Sequence, residues 1–117
     1  MAAQRFHIII DASNVSEKSL SDEEGLKKFL TDLTSEIGMH VLAGPLIAQG
    51  IPQNPGLSGF VLIDFSHISI HTFIKHKQAL VDIFSCQAYD KETEDKHFLE
   101  YFQIPRESAR IETVSWE

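Results

Sequence analysis

Phe6 to Asp11 is a mostly apolar run that reads as a first strand, followed by polar positions rich in Ser and Asn. Ser21-Asp-Glu-Glu24 has the form of a capping box. After it, Leu26, Phe29, Leu30, Leu33 and Ile37 recur at the helical period until Gly38 offers a stop, which predicts an amphipathic helix. Met39 to Gln49 has a β-like start, and Gly50-Ile-Pro-Gln-Asn-Pro-Gly56 is dense enough in turn formers to predict an irregular loop. Three strand candidates follow, Gly59 to Asp64, Ile68 to Phe73 and Ala79 to Ser85, joined so tightly that they should pair antiparallel. A second helix is predicted over Asp90 to Phe102, with Phe98, Leu99 and Phe102 toward the core and Pro105 just past its end. Ala109 to Trp116 closes the chain as a strand.

This order predicts an α+β fold, a two-layer sandwich of a mainly antiparallel sheet with two helices on one face. Phe60 to Ile63 and Ala79 to Phe84 are apolar on both sides, so the other face also needs a cover, and a second subunit in a homodimer would supply one. The length of 117 residues gives one domain, residues 1–117. With 43% hydrophobic and 23% charged residues the composition is that of a globular protein. The apolar runs are too short to cross a bilayer and the N-terminus lacks the regions of a signal peptide, so a soluble cytoplasmic protein without a membrane partner is expected. A net charge of −7 with scattered Lys and Arg argues against nucleic acid and suits a small cationic ligand. Cys86, the one cysteine, rules out an internal disulfide and a cysteine metal cluster.

Chemistry concentrates in Asp64-Phe-Ser-His-Ile-Ser-Ile-His-Thr-Phe73, where Ser66, His67, Ser69 and His71 fall within six residues. Taken singly, each is explained at least as well by structure, since a buried His commonly satisfies a neighbouring carbonyl. Together with Cys86 they supply a hydroxyl nucleophile, proton carriers and a second acid-base group. No G-x-S-x-G elbow or glycine-rich phosphate loop is present, and His67 and His71 lack a third metal ligand nearby. A hairpin paired symmetrically about His76 would set Ser66 across from Cys86, with Cβ atoms about 5 Å apart. Strict alternation, however, places Ser66 and His71 on opposite faces.

Residues Ser58 to Phe73, "SGFVLIDFSHISIHTF", and Ala79 to Cys86, "ALVDIFSC", cover about a fifth of the chain. They resemble the short prokaryotic S-adenosylmethionine decarboxylases, with the pattern S-G-V-V-x-I-x-E-S-H-I/L-S/T-I-H-T-W-P-E followed by A-x-I/V-D-I/V-F-S/T-C. The resemblance implies that family's fold and a self-processing, pyruvoyl-dependent decarboxylase of S-adenosylmethionine serving polyamine (spermidine) synthesis. Ser66 would attack the carbonyl of Phe65, and cleavage between Phe65 and Ser66 would leave a pyruvoyl group derived from Ser66, which holds substrate as a Schiff base without any external cofactor. It further implies that His71 assists processing by proton transfer, that Ser69 is a supporting hydroxyl, that Cys86 is the proton donor, and that sites draw on both subunits of a dimer. The same chemistry would require a bend near Asp64 to His67, to reconcile the faces of Ser66 and His71.

The chain departs from the pattern at Phe65, where the family has Glu, and at Phe73-Ile-Lys75, in place of Trp-Pro-Glu. Losing two carboxylates and gaining a lysine should change how a cationic substrate is held. Two alternatives follow: the same machinery acting on arginine or ornithine, and a non-processing relative that binds a ligand or an active paralogue.

Overall fold

The computed structural model describes residues 4–114. Its elements in chain order are β1 (Phe6–Ala12), α1 (Glu17–Leu20), α2 (Glu23–Glu36), β2 (Val41–Ile51), β3 (Asn54–Ile63), β4 (Ser66–Phe73), β5 (Gln78–Ser85), α3 (Lys91–Phe102) and β6 (Ala109–Val114). The strands form one six-stranded sheet in the order β2-β3-β4-β5-β1-β6, and every neighbouring pair is antiparallel. The predicted α+β sandwich is therefore correct.

Alternation decides which side carries the core. Ile68 and Ile70 of β4, Ala79, Val81 and Ile83 of β5, and Ile8 and Ile10 of β1 are buried, together with Leu26, Phe29, Leu30 and Leu33 of α2 and Phe98 and Phe102 of α3. The Phe29 ring meets those of Phe98 and Phe102 edge-on, which ties the two long helices together above the sheet. Among the described residues no helix covers the opposite sheet face, which leaves Ile9, Phe60 and Leu62 about 40% exposed.

Three local expectations are corrected. The helix cap is Asp22, whose carboxylate accepts the Gly25 N–H at 2.9 Å, because Ser21 is consumed by α1, an extra single-turn helix, and donates its hydroxyl to the Glu17 carbonyl at 2.6 Å. The segment from Gly50 to Gly56 is the tip of a hairpin instead of an irregular loop, with Ile51 paired to Asn54. Its glycines serve close strand approach: a Cβ on Gly56 would lie 1.8 Å from the Thr72 carbonyl oxygen, and one on Gly50 would lie 2.0 Å from that of Asn54. β4 begins at Ser66, two residues earlier than the alternation of isoleucines alone marks. The last strand is formed over Ala109–Val114, and the rest of its predicted span lies outside the described residues.

At the start of α3, Glu94 and Asp95 are fully buried. Asp95 is in contact with Lys91 and lies 3.7 Å from Arg106, whereas neither carboxyl oxygen of Glu94 has a hydrogen-bond partner among the described residues. Burial first, and then the adjacent Asp95, push the Glu94 carboxyl up from 4.5 to about 9, against the opposing pull of Lys91 and Arg106. Between those values the folded chain holds a proton that the unfolded chain has lost, so stability falls as pH rises, by at most ~1.4 kcal/mol per pH unit. Thermal midpoints of the wild type should fall between about pH 5 and 9, and the Glu94→Gln chain should fall less steeply in the same melting series. Parallel curves for the two chains would exclude a protonated Glu94.

Candidate active site

Asp64 and Phe65 form the two-residue turn between β3 and β4, whose last pair is Ile63 with Ser66. Asp64 anchors the turn to the segment before β2. Its Oδ2 accepts the His40 backbone N–H at 2.9 Å and the imidazole Nδ1 at 3.0 Å, while its own N–H donates to the His40 carbonyl at 3.1 Å. The Phe65 side chain is 52% exposed, but its carbonyl oxygen points inward and accepts the Cys86 N–H at 2.8 Å.

Ser66 is buried, and its hydroxyl donates to Ser85 Oγ at 2.6 Å, with Met39 Sδ at 3.3 Å as a weaker acceptor. Ser85 Oγ donates to the Gln87 carbonyl at 2.5 Å and accepts the Gln87 N–H at 3.0 Å. Ser66 therefore lies across from Ser85, and Cys86, half-buried, follows one residue later. The hairpin expected to be symmetric about His76 is out by one residue, because a 3-10 turn over Ile74–His76 and a left-handed Lys77 leave Phe73 paired with Gln78.

Phe65, Ser66 and Cys86 are thus brought to one place, and His71 and Ser69 are not. No bend interrupts β4: Ser66 points with Ile68 and Ile70 into the helix-covered side, and the burial of those isoleucines fixes the alternation. Ser69 sits on the open face between Phe60 and Asp82 of the neighbouring strands. His71, roughly 17 Å along the strand from Ser66 at the usual rise, shares that face and is hydrogen-bonded through Nδ1 to Ser58 Oγ at 2.8 Å. His67 is stacked between Phe60 and Phe84 at centroid distances of 5.6 and 5.2 Å, a packing role. Lys75 belongs to the turn after β4, at the opposite end of the strand from Phe65, so only one of the two departures from the family pattern lies at the Ser66 bond.

Ser85 is a site residue that the sequence reading passed over, as is Ser58 for the hydrogen bond it makes to His71 away from that site. Each had a signal, since Ser85 precedes Cys86 and Ser58 opens the matched segment. His40 and Met39 had none, being brought in by the approach of a distant loop.

A family model described as S-adenosylmethionine decarboxylase matches residues 6–112. The chain is 30% identical over 105 residues to the S-adenosylmethionine decarboxylase proenzyme of Thermodesulfovibrio yellowstonii, covering 88% of this chain and 75% of the relative. It is 27% identical over 85 residues to the arginine decarboxylase proenzyme of Caldivirga maquilingensis, covering 73% of this chain and 63% of that one. The fold matches the crystal structure of the adenosylmethionine decarboxylase from Aquifex aeolicus with a TM-score of 0.79 at 22% identity, over 97% of this chain and 91% of that chain.

Proposed function

Because the chain belongs to the S-adenosylmethionine decarboxylase family, we propose that it splits its own backbone between Phe65 and Ser66 and then decarboxylates S-adenosylmethionine in the cytoplasm, toward spermidine and related polyamines. The observation that carries this reading is the grip on the peptide to be cleaved: the Phe65 carbonyl accepts the Cys86 N–H while the buried Ser66 hydroxyl is held by Ser85.

That arrangement suits an N-to-O acyl shift. Ser66 Oγ forms a bond to the Phe65 carbonyl carbon, the bond from that carbon to the Ser66 nitrogen breaks, and the hydroxyl proton ends on the nitrogen. The Cys86 N–H faces the oxygen on which negative charge develops. Elimination then removes the Ser66 Cα proton to a base and breaks the Cβ–O bond, leaving a Phe65 carboxylate and a dehydroalanine, whose imine tautomer water hydrolyses to the pyruvoyl group with release of ammonia. The residues present fit that group, since the side chain it derives from is a buried hydroxyl and the carbonyl before it is held by the Cys86 N–H. A pyruvoyl group supplies an electron sink for loss of carbon dioxide from an amine-bearing substrate. Cys86 is the proposed proton donor to the product carbon, with its thiol one residue beyond the partner of Ser66.

His71 and Ser58 enter this reading through a second copy of the chain. Within one chain they lie on the open face, paired on β3 and β4 too far from Ser66 to act on it. The same face presents Ile9, Phe60 and Leu62 to solvent, an apolar surface that a homodimer would cover and across which the partner's His71 would approach the cleavage site. A second reading keeps the chemistry and changes the substrate to arginine, favoured by the likeness to the arginine decarboxylase proenzyme of Caldivirga maquilingensis and by Phe65 at the site itself.

Carbon dioxide release by the purified protein tests both readings. S-adenosylmethionine should be turned over at least about 100-fold faster than arginine or ornithine, a margin that paired polar groups readily provide, and light scattering on the same preparation should give the mass of two protomers. Turnover of arginine alone would transfer the assignment to the second reading, and a monomer at micromolar concentration would remove the proposed route of His71.

A further inference from the structure

The Ser66 hydroxyl has a defined direction. Ser85 Oγ commits its own hydrogen to the Gln87 carbonyl at 2.5 Å and accepts the Gln87 N–H at 3.0 Å, so toward Ser66 it offers a lone pair and no proton. Ser66 Oγ, at 2.6 Å, must therefore donate. Its other neighbour, Met39 Sδ at 3.3 Å, is also an acceptor only, which leaves no donor among these contacts to occupy the Ser66 lone pairs. Ser85 is fully buried, so water does not compete for the bond.

We infer that Ser85 is a positioning residue for self-cleavage: by accepting the Ser66 O–H it turns the Ser66 lone pairs free for attack on the Phe65 carbonyl carbon. This rests on the proposed self-processing. The step is the acyl shift already written, in which the O–C bond forms, the C–N bond breaks and the hydroxyl proton passes to the nitrogen. Ser85 changes neither the atoms nor the charge of that balance. It sets the starting orientation, a contribution of the kind that alignment of reacting groups makes to rate.

The same contacts give Ser85 a structural duty at the turn to Gln87, so the test must separate the two. Freshly synthesised precursor is followed by denaturing electrophoresis for wild type, Ser85→Ala, Ser85→Thr and Ser85→Cys, with and without hydroxylamine, which cleaves an accumulated ester. The inference expects splitting of Ser85→Ala to slow at least about tenfold without a hydroxylamine-sensitive ester, Ser85→Thr to recover most of the rate through its hydroxyl, and Ser85→Cys to fall between. Wild-type rates in Ser85→Ala would overturn it. So would an ester accumulating in that variant, which would place Ser85 after the shift, or a folded Ser85→Thr as slow as Ser85→Ala, which would make its role purely structural. A wild-type precursor that never splits would overturn self-processing itself, and the role of Ser85 with it.

Discussion

Denaturing mass spectrometry of the purified protein should find two fragments, residues 1–65 and 66–117, the second blocked to N-terminal sequencing, while Ser66→Ala stays one chain. The effect is all or none, because the substitution removes the atom that forms the new bond. The variant should nonetheless fold. It loses one buried hydrogen bond, to Ser85, worth about 1 kcal/mol, and an alanine is readily accommodated at the start of β4. Phe65 does not obstruct the step: its side chain faces outward and the groups that hold the bond reach it through the backbone, from Cys86 on one side and from His40 through Asp64 on the other. A wild-type chain left unbroken by prolonged incubation, and indistinguishable from Ser66→Ala, would move the assignment to a non-catalytic relative.

The parts of this molecule legible in the sequence are those governed by periodicity. The stripe from Leu26 to Ile37 marked α2 to within three residues, and the isoleucines of β4 fixed which face it buries. Register was less legible, because the turn after β4 depends on Lys77 adopting a left-handed conformation that no glycine announces, and that single residue exchanges Ser85 for Cys86 opposite Ser66. Likewise Gly50 and Gly56 read as loop formers when their use is to let strands approach. In the site, resemblance named Ser66, His71 and Cys86, but alternation had already placed Ser66 and His71 on opposite faces, and the fold keeps them there. The anticipated bend is replaced by a tight turn at Asp64-Phe65, for which the loop at His40 supplies the anchor; a contact between residues 24 apart leaves no trace in local sequence.

Cys86→Ala should yield a split, folded protein whose decarboxylation falls by about 100-fold or more, the range that loss of a positioned acid commonly produces. Two proposed functions meet at this residue and the substitution separates them. The backbone N–H that holds the Phe65 carbonyl survives in alanine, so self-cleavage should proceed at close to the wild-type rate. The thiol does not survive, and with it goes the group proposed to return a proton after carbon dioxide leaves. Folding is little affected, since the side chain is small and only half-buried, outside the core under α2 and α3. Fragment masses and carbon dioxide release from S-adenosylmethionine, measured on one preparation, read the two functions independently. Full activity in the alanine chain would refute the proton-donor assignment; complete splitting with depressed turnover would establish that residue 86 serves cleavage through its backbone and decarboxylation through its sulfur.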